Sequence, residues 1–167
     1  LDVPGNMMGE VEISIEGAIQ MPVYTRGLAG SDEEFRARLD DGAPLSILQE
    51  PGRIRMVVPT EDARRVMNLE SVVEFWSGFH QSHAALASEP NPRRYESHWI
   101  FDSQVGYGYA NATPGRITYP MLSVGWVLRT QTGDEDWWLL GHELGHQFQT
   151  SDWSGGDITE VAVNLFT

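Results

Sequence analysis

Hydrophobic and polar residues alternate in short segments of the chain, which is the pattern of half-buried β-strands. The clearest alternation covers 10–16, where Val11, Ile13 and Ile15 share one face. Four more strands are predicted from apolar segments at 20–25, 53–58, 98–101 and 117–123. The pattern therefore indicates a sheet of several strands.

Other segments carry apolar residues at helical spacing. Residues 31–34 have the form of a capping box and predict a short helix to about Leu39. Thr60 is predicted to cap a second helical stretch, and 69–88 and 137–148 are amphipathic over several turns. Strands and helices in this order predict an α+β fold, in which a mixed sheet packs on the last long helix.

That last amphipathic segment contains a complete HExxH motif at 142–146. His142 and His146 are four residues apart and so share a helix face, which lets both ring nitrogens reach one metal ion. Glu143 follows directly, in a position to act as general base on water at the open coordination position. The motif predicts a catalytic metal site, and a His₂Glu ligand set favours zinc.

A catalytic zinc site normally has a third protein ligand, and Glu160 is our candidate. It follows His146 by 14 residues, in a segment that reads as the start of another helix. An alternative exists, because Asp157 and Glu160 also fit a capping box that would leave Glu160 in a solvated first turn. Asn164 lies four residues further on, where its side chain could orient a ligand histidine.

Composition narrows the functional classes. The formal net charge of -13 and the pI near 4.6 argue against nucleic acid or an anionic membrane as partner. No apolar run approaches the roughly 20 residues of a membrane span. The chain has no cysteine, which excludes disulfides and a cysteine-ligated zinc site. His80 and His83 have no third-ligand pattern around them, and we interpret them as surface or structural histidines.

Three segments of the chain resemble the enhancin-like, mucin-targeting gluzincin metallopeptidases. They are Tyr-Pro-Met at 119–121, Gly-His-Glu-Leu-Gly-His-Gln-Phe-Gln at 141–149 and Thr-Glu-Val-Ala-Val-Asn-Leu-Phe at 159–166. A weaker likeness at 22–27 extends the resemblance over most of the chain. One departure is the Trp-Trp-Leu-Leu-Gly sequence at 137–141, where the family often has Trp-Gly just ahead of the motif.

The resemblance implies the same site as the motif does, with His142, His146 and Glu160 as zinc ligands and Glu143 as the base. It also implies a zincin-like (gluzincin) fold, a protein or O-glycosylated mucin-like substrate, and a secreted or cell-surface location. We expect residues 1–8 to be a leading segment or linker and 9–167 to be the catalytic domain. The C-terminal helical part of that domain is expected to lie beyond this chain.

The predicted function is therefore that of a zinc-dependent endopeptidase acting on glycoproteins, by attack of a zinc-bound water with Glu143 as general base. Two further residues are candidates for substrate contacts: Tyr119, which is also our candidate for stabilising the transition state, and Trp153. The strand at 117–123 is a candidate edge strand for the substrate backbone, or else an ordinary core strand. Alternatives are another zinc hydrolase such as an aminopeptidase, and a catalytically silent glycoprotein-binding or adhesion module.

Overall fold

Six strands form one mixed sheet in the computed structural model. The residues it describes are 14–88, 96–106, 108–130, 134–150, 152 and 155–167, without the side chains of 134–136. The strands are β1 (Val23–Thr25), β2 (Leu45–Glu50), β3 (Ile54–Pro59), β4 (Ser97–Asp102), β5 (Asn111–Thr113) and β6 (Arg116–Pro120). Their order across the sheet is β1-β2-β3-β4-β6-β5.

The sheet mixes parallel and antiparallel neighbours, as predicted for an α+β fold. β1 runs parallel to β2, and β3, β4 and β6 run parallel to one another, whereas β2–β3 and β5–β6 are antiparallel. The short strand β5 lies at the edge, and β6 lies between β4 and β5. The segment predicted as an edge strand at 117–123 is therefore interior where β5 covers it, and it leaves the strand conformation after Pro120.

One face of the sheet carries the core. Alternate residues of β3, β4 and β6 are buried, as a period of two requires. Met56 pairs with Trp99, and Trp99 with Ile117, so these three fully buried side chains form a row across the sheet. A single apolar side chain of this size contributes about 1.5–3 kcal/mol when buried, so this row is a large part of the core.

The described residues also form the helices α1 (Ser31–Arg38), α2 (Thr60–Arg64), α3 (Leu69–Leu86), α4 (Val124–Arg129), α5 (Asp134–His146) and α6 (Thr159–Ala162). The longest of them, α3, packs on that face of the sheet. Trp76 of α3 lies at their junction, with its ring centroid 5.0 Å from Trp99 and 5.5 Å from Trp137. Its indole nitrogen donates to the carbonyl of Val127 at 2.9 Å, so the buried polar atom is satisfied.

The helix predicted over 31–39 is confirmed as α1, but the predicted capping box is wrong. The N-cap residue is Gly30, in the left-handed conformation, and no side chain caps the helix. The hydroxyl of Ser31 instead accepts a hydrogen bond from the backbone N–H of Thr25 at 2.6 Å. The serine therefore joins α1 to β1, because the loop brings a strand amide closer than the helix amides.

Three elements were not predicted: β2, β5 and α4. The predicted strand at 10–16 is not found over 14–16, and 10–13 lie outside the described residues, as does the segment 1–8. The predicted strand at 20–25 is shorter, since β1 begins at Val23. Strands β3, β4 and β6 and helices α3 and α5 have counterparts among the predicted elements.

Candidate metal centre

Helix α5 presents the motif because its faces are divided between the core and the site. Leu140, Leu144 and Phe148 are spaced four apart and are buried, so one side of the helix packs into the core. His142 and His146 share a different face. The apolar face therefore holds this 13-residue helix against the core, while the other face directs both imidazoles to one side.

Two glycines in α5 allow another segment to approach closely. A Cβ on Gly145 would lie 2.8 Å from Cβ of Phe166 and 2.9 Å from a methyl of Val163. A Cβ on Gly141 would lie 3.0 Å from the carbonyl oxygen of Phe166. The 3₁₀-helical turn Val163–Phe166 consequently lies directly against the motif helix. This contact brings the region after His146 back to the site.

Three ligand atoms converge on one point. Nε2 of His142 lies 3.0 Å from Oε2 of Glu160 and 3.3 Å from Nε2 of His146. Nε2 of His146 lies 3.6 Å from the same Glu160 oxygen. Among the described residues, His142, His146 and Glu160 form the only group of three or more metal-binding side chains that lie this close together.

Glu160 reaches the site from a short helical segment. A 3₁₀ turn over Gly156–Ile158 leads into α6, which has four residues. The capping-box alternative is not adopted, because no side chain caps α6 and the Glu160 carboxylate points to the histidines. The two histidines are largely buried, while the Glu160 side chain is 74% exposed, so the site opens to solvent on that side.

These residues fit a zinc ion. Ligand atoms about 2 Å from a common tetrahedral ion lie roughly 3.3 Å apart, and the three observed separations bracket that distance. Two imidazoles and one carboxylate are also the donors that catalytic zinc takes in His₂Glu sites, which leave a position open. His142, His146 and Glu160 would therefore hold the metal.

Glu143 is buried beside this site, with 7% of its surface exposed. Burial raises the pKa of its carboxyl group above the ordinary value; His146 and His142 act against this shift, and Glu160 adds to it. A carboxylate with a raised pKa is a stronger base than an exposed one, which suits proton transfer near neutral pH. The candidate base thus has the environment that its role requires.

Outer partners hold both ligand rings. Nδ1 of His142 lies 3.1 Å from the side-chain oxygen of Asn164, as the sequence analysis anticipated. Nδ1 of His146 lies 2.6 Å from the side-chain oxygen of Gln149, which we had not singled out. Gln149 lies beyond the last residue of α5, so helical spacing alone does not place it against His146.

The structure puts Tyr119 in the core, which is at odds with a substrate-binding role. Its side chain is fully buried, and its hydroxyl donates to the carbonyl of Leu140 at 3.1 Å. Burial, and after it the charge of Glu143, raises the pKa of Tyr119, so the hydroxyl stays protonated. Tyr119 therefore attaches β6 to the motif helix. Trp153 lies outside the described residues.

A different tryptophan lies beside the metal centre. The Trp138 ring centroid is 4.7 Å from that of His142, and half of the Trp138 side chain is exposed. The sequence analysis treated Trp138 only as part of the lead-in to the motif. Trp138 precedes His142 by four residues, so it lies on the helix face that the motif histidines share, and that spacing was the available signal.

The fold and the site together have the arrangement expected of a metallopeptidase domain: an α+β unit in which the sheet packs on an HExxH helix, with a carboxylate supplied from downstream. Residues 17–167 match the family described as peptidase M60, enhancin and enhancin-like. The chain belongs to this family.

Solved structures agree with this fold. The M60 catalytic domain of Clostridium perfringens ZmpC, solved in complex with the sialyl T antigen, matches with a TM-score of 0.69 and 16% identity, over 90% of this chain and 32% of that one. A metallopeptidase from Bacteroides thetaiotaomicron matches with a TM-score of 0.70 and 16% identity, over 86% of this chain and 25% of that one. The predicted fold class is confirmed.

The curated relatives carry a different name. TRPM8 channel-associated factor 2 of Homo sapiens is 28% identical over 169 residues, and TRPM8 channel-associated factor 1 of Bos taurus is 28% identical over 165 residues. These matches cover 98% and 95% of this chain but only 18% and 17% of those proteins.

Within the described residues, no helix is long and apolar enough to cross a bilayer.

Proposed function

We propose that the protein is a zinc-dependent endopeptidase that hydrolyses peptide bonds in glycoproteins. The observation that carries this proposal is the convergence of three ligand atoms, from His142, His146 and Glu160, within 4.8 Å of one another beside a buried Glu143. Three ligands with a solvent-facing side leave a coordination position for water or substrate. A site built only to hold a structural metal normally has four protein ligands.

The chain's own residues supply binding and proton transfer. Zinc, when bound, acts as a Lewis acid on the peptide carbonyl and makes water more acidic. Glu143 takes the proton of the attacking water and then passes it to the nitrogen of the departing amine. Burial raises the pKa of this carboxyl group, which favours its holding the proton between the two transfers. The exposed side at Glu160 is where the substrate enters.

We infer that the substrates are mucin-type O-glycosylated proteins outside the cell, so that the protein acts as a secreted or cell-surface enzyme. Family membership supports this, as does the ZmpC catalytic domain solved with the sialyl T antigen. The half-exposed ring of Trp138 beside His142 offers a flat apolar surface for a sugar or a side chain. The edge strand β5 offers backbone groups for an extended peptide.

The test of catalysis is the Glu143→Gln variant of the purified protein. Loss of a general base costs about 10²- to 10⁴-fold, so we expect cleavage of an O-glycosylated mucin to fall by that amount. The zinc content should stay at one per chain, because Glu143 is not a ligand. Equal cleavage by the wild type and the variant would contradict the proposed role.

The test of the substrate class compares an O-glycosylated mucin with the same mucin after enzymatic deglycosylation. We expect cleavage of the glycosylated form alone, and a chelator should stop it. Equal cleavage of both forms would retain the peptidase and reject the glycan requirement.

A second candidate is a protein-binding module that keeps the metal site without turnover. The observation in its favour is the match to the TRPM8 channel-associated factors, whose name describes association with a channel. Such a module would bind its partner equally well with Glu143 or Gln at position 143. The retained Glu143, buried beside the ligands, favours the enzyme, since a binding module needs only the ligands.

A further inference from the structure

Two side-chain amides connect the ligand histidines to the segment that carries the third ligand. The oxygen of Gln149 faces Nδ1 of His146 at 2.6 Å, and its nitrogen donates to the carbonyl of Thr159 at 2.7 Å. The oxygen of Asn164 faces Nδ1 of His142 at 3.1 Å, and its nitrogen donates to the carbonyl of Glu160 at 3.2 Å. The two bridges thus end on consecutive carbonyls at the start of α6.

The chemistry of these bridges fixes how the amides are oriented. A backbone carbonyl oxygen can only accept, so the amide nitrogen of Gln149 must be the atom that faces Thr159. The amide oxygen is left facing His146, and it too can only accept. Nδ1 of His146 therefore carries the proton, and Nε2 keeps the lone pair that a metal needs.

The second role of the bridge is mechanical. α6 has only four residues, and the Glu160 side chain is largely exposed, so neither the helix nor burial holds this ligand firmly. Thr159 is the residue directly before Glu160. Its hydrogen bond from Gln149 attaches it to the segment that follows the motif helix. Asn164 cannot replace it, because Asn164 lies in the same C-terminal segment as Glu160 and contacts the other histidine.

We propose that Gln149 is a positioning residue of the metal centre, which sets the tautomer of His146 and anchors the turn that delivers Glu160. The inference rests on the metal site of the proposed function, but it does not depend on peptidase activity. Removal of an outer partner of this kind typically lowers metal affinity about 10- to 100-fold.

The two roles can be separated with two variants. Gln149→Leu removes both hydrogen bonds, whereas Gln149→Glu keeps an acceptor for His146 and loses the donor to Thr159. Gln147→Leu is the matched control: Gln147 is a buried glutamine two positions away, and its amide binds Gly115 and Thr113 of the β5–β6 hairpin and not a ligand.

The measurements are zinc affinity, by competition with a chelating dye, and histidine ¹⁵N shifts of the zinc-free protein. We expect zinc affinity to fall about 10- to 100-fold in Gln149→Leu, by less in Gln149→Glu, and not in Gln147→Leu. The His146 ring should carry its proton on Nδ1 in the wild type and in Gln149→Glu, and should show both tautomers in Gln149→Leu. Backbone amides at 159–162 should exchange faster in both Gln149 variants.

Three results would overturn the inference. One is zinc affinity in folded Gln149→Leu within twofold of the wild type. Another is an equal loss of affinity in Gln147→Leu, which would indicate a general loosening of the helix end. The third is a proton on Nε2 of His146 in the wild type. This result would overturn the inference even if Gln149→Leu does not fold. None of these measurements involves cleavage, so failure of the peptidase proposal would be seen separately.

Discussion

At the scale of single residues, the histidines of this chain differ in what their surroundings do to them. His83 is buried between α3 and α5, with its ring nitrogens 2.9 Å from the carbonyl of Phe79 and 3.3 Å from that of Gly141. Burial lowers the pKa of His83 below its usual 6.5, although hydrogen bonds to backbone groups act against this shift. The interpretation of His83 as a structural histidine agrees with this position.

His83 should contribute to the pH dependence of stability. The unfolded chain takes up a proton near the usual pKa of 6.5, whereas the folded chain resists it. The contribution of a neutral His83 to the free energy of unfolding is therefore fully present above that pH, and it is lost as the pH falls below it. We expect the free energy of unfolding to fall more steeply as the pH drops below 6.5 in the wild type than in His83→Gln. Parallel curves from urea unfolding would contradict this.

Two variants distinguish a ligand role of Glu160 from its alternative role in a capping box. Glu160→Ala removes one of three converging ligand atoms, and Asp157→Ala removes only the exposed carboxylate of the unadopted capping box. We expect zinc affinity to fall by more than the roughly 100-fold upper range for outer partners in Glu160→Ala. Asp157→Ala should bind zinc as the wild type does, as measured by isothermal titration. Similar affinities for both variants would remove Glu160 from the ligand set.

The site residues differed in how far the sequence could predict them. His142, Glu143 and His146 follow from a spacing within one helix, so local geometry is enough to bring them together. Glu160 required a chemical argument, namely that a catalytic zinc site takes a third protein ligand in addition to two histidines. Trp138 was not singled out, although its spacing of four from His142 places both on one helix face. How much of its ring is exposed depends on how α5 packs against the rest of the fold.

At the scale of elements, the contact between α5 and the turn Val163–Phe166 decides whether the site assembles. In Gly145→Ala, the new methyl group would lie within 3.0 Å of Phe166 and Val163 atoms, and overpacking of this kind costs about 1–3 kcal/mol. We expect lower stability and weaker zinc binding, since the displaced turn carries Asn164.

Gly78 is the matched control for this prediction. It lies inside α3 at an exposed position, and a Cβ there would meet nothing within 4 Å. Gly78→Ala should raise the free energy of unfolding by about 0.5–1 kcal/mol, because alanine loses less backbone entropy in a helix. Thermal unfolding of both variants checks the pair, and a neutral Gly145→Ala would contradict the close approach.

There are physical reasons why β2 and β5 were not predicted from the sequence. β2 carries Ser46 at a fully buried position, where its hydroxyl lies 2.9 Å from that of Thr60, so a polar residue interrupts the expected apolar pattern. β5 has three residues, and its pairing with β6 and the bonds from Gln147 to the hairpin hold it in place. Such strands exist because of tertiary partners, which a local pattern does not contain.

At the scale of the whole molecule, the proposed metal joins the motif helix to the C-terminal turns. Binding to the folded chain alone stabilises it by about 4 kcal/mol when free zinc is 1,000 times its dissociation constant. We expect a chelator to lower the Tm of the wild type and to leave the Tm of His146→Ala unchanged. Differential scanning calorimetry of both, with and without chelator, checks this. An identical shift in the two proteins would place the stabilising metal elsewhere.

The central claim is that one metal ion, held by His142, His146 and Glu160, makes this domain a peptidase. The most direct test is to titrate the chelator-stripped protein with Zn²⁺ while following the cleavage rate of an O-glycosylated mucin. We predict that the rate rises linearly and stops rising at one zinc per chain, with Glu143→Gln inactive at the same zinc content. Cleavage that persists in the stripped protein, or a chain saturated with one zinc that cleaves nothing, would contradict the claim.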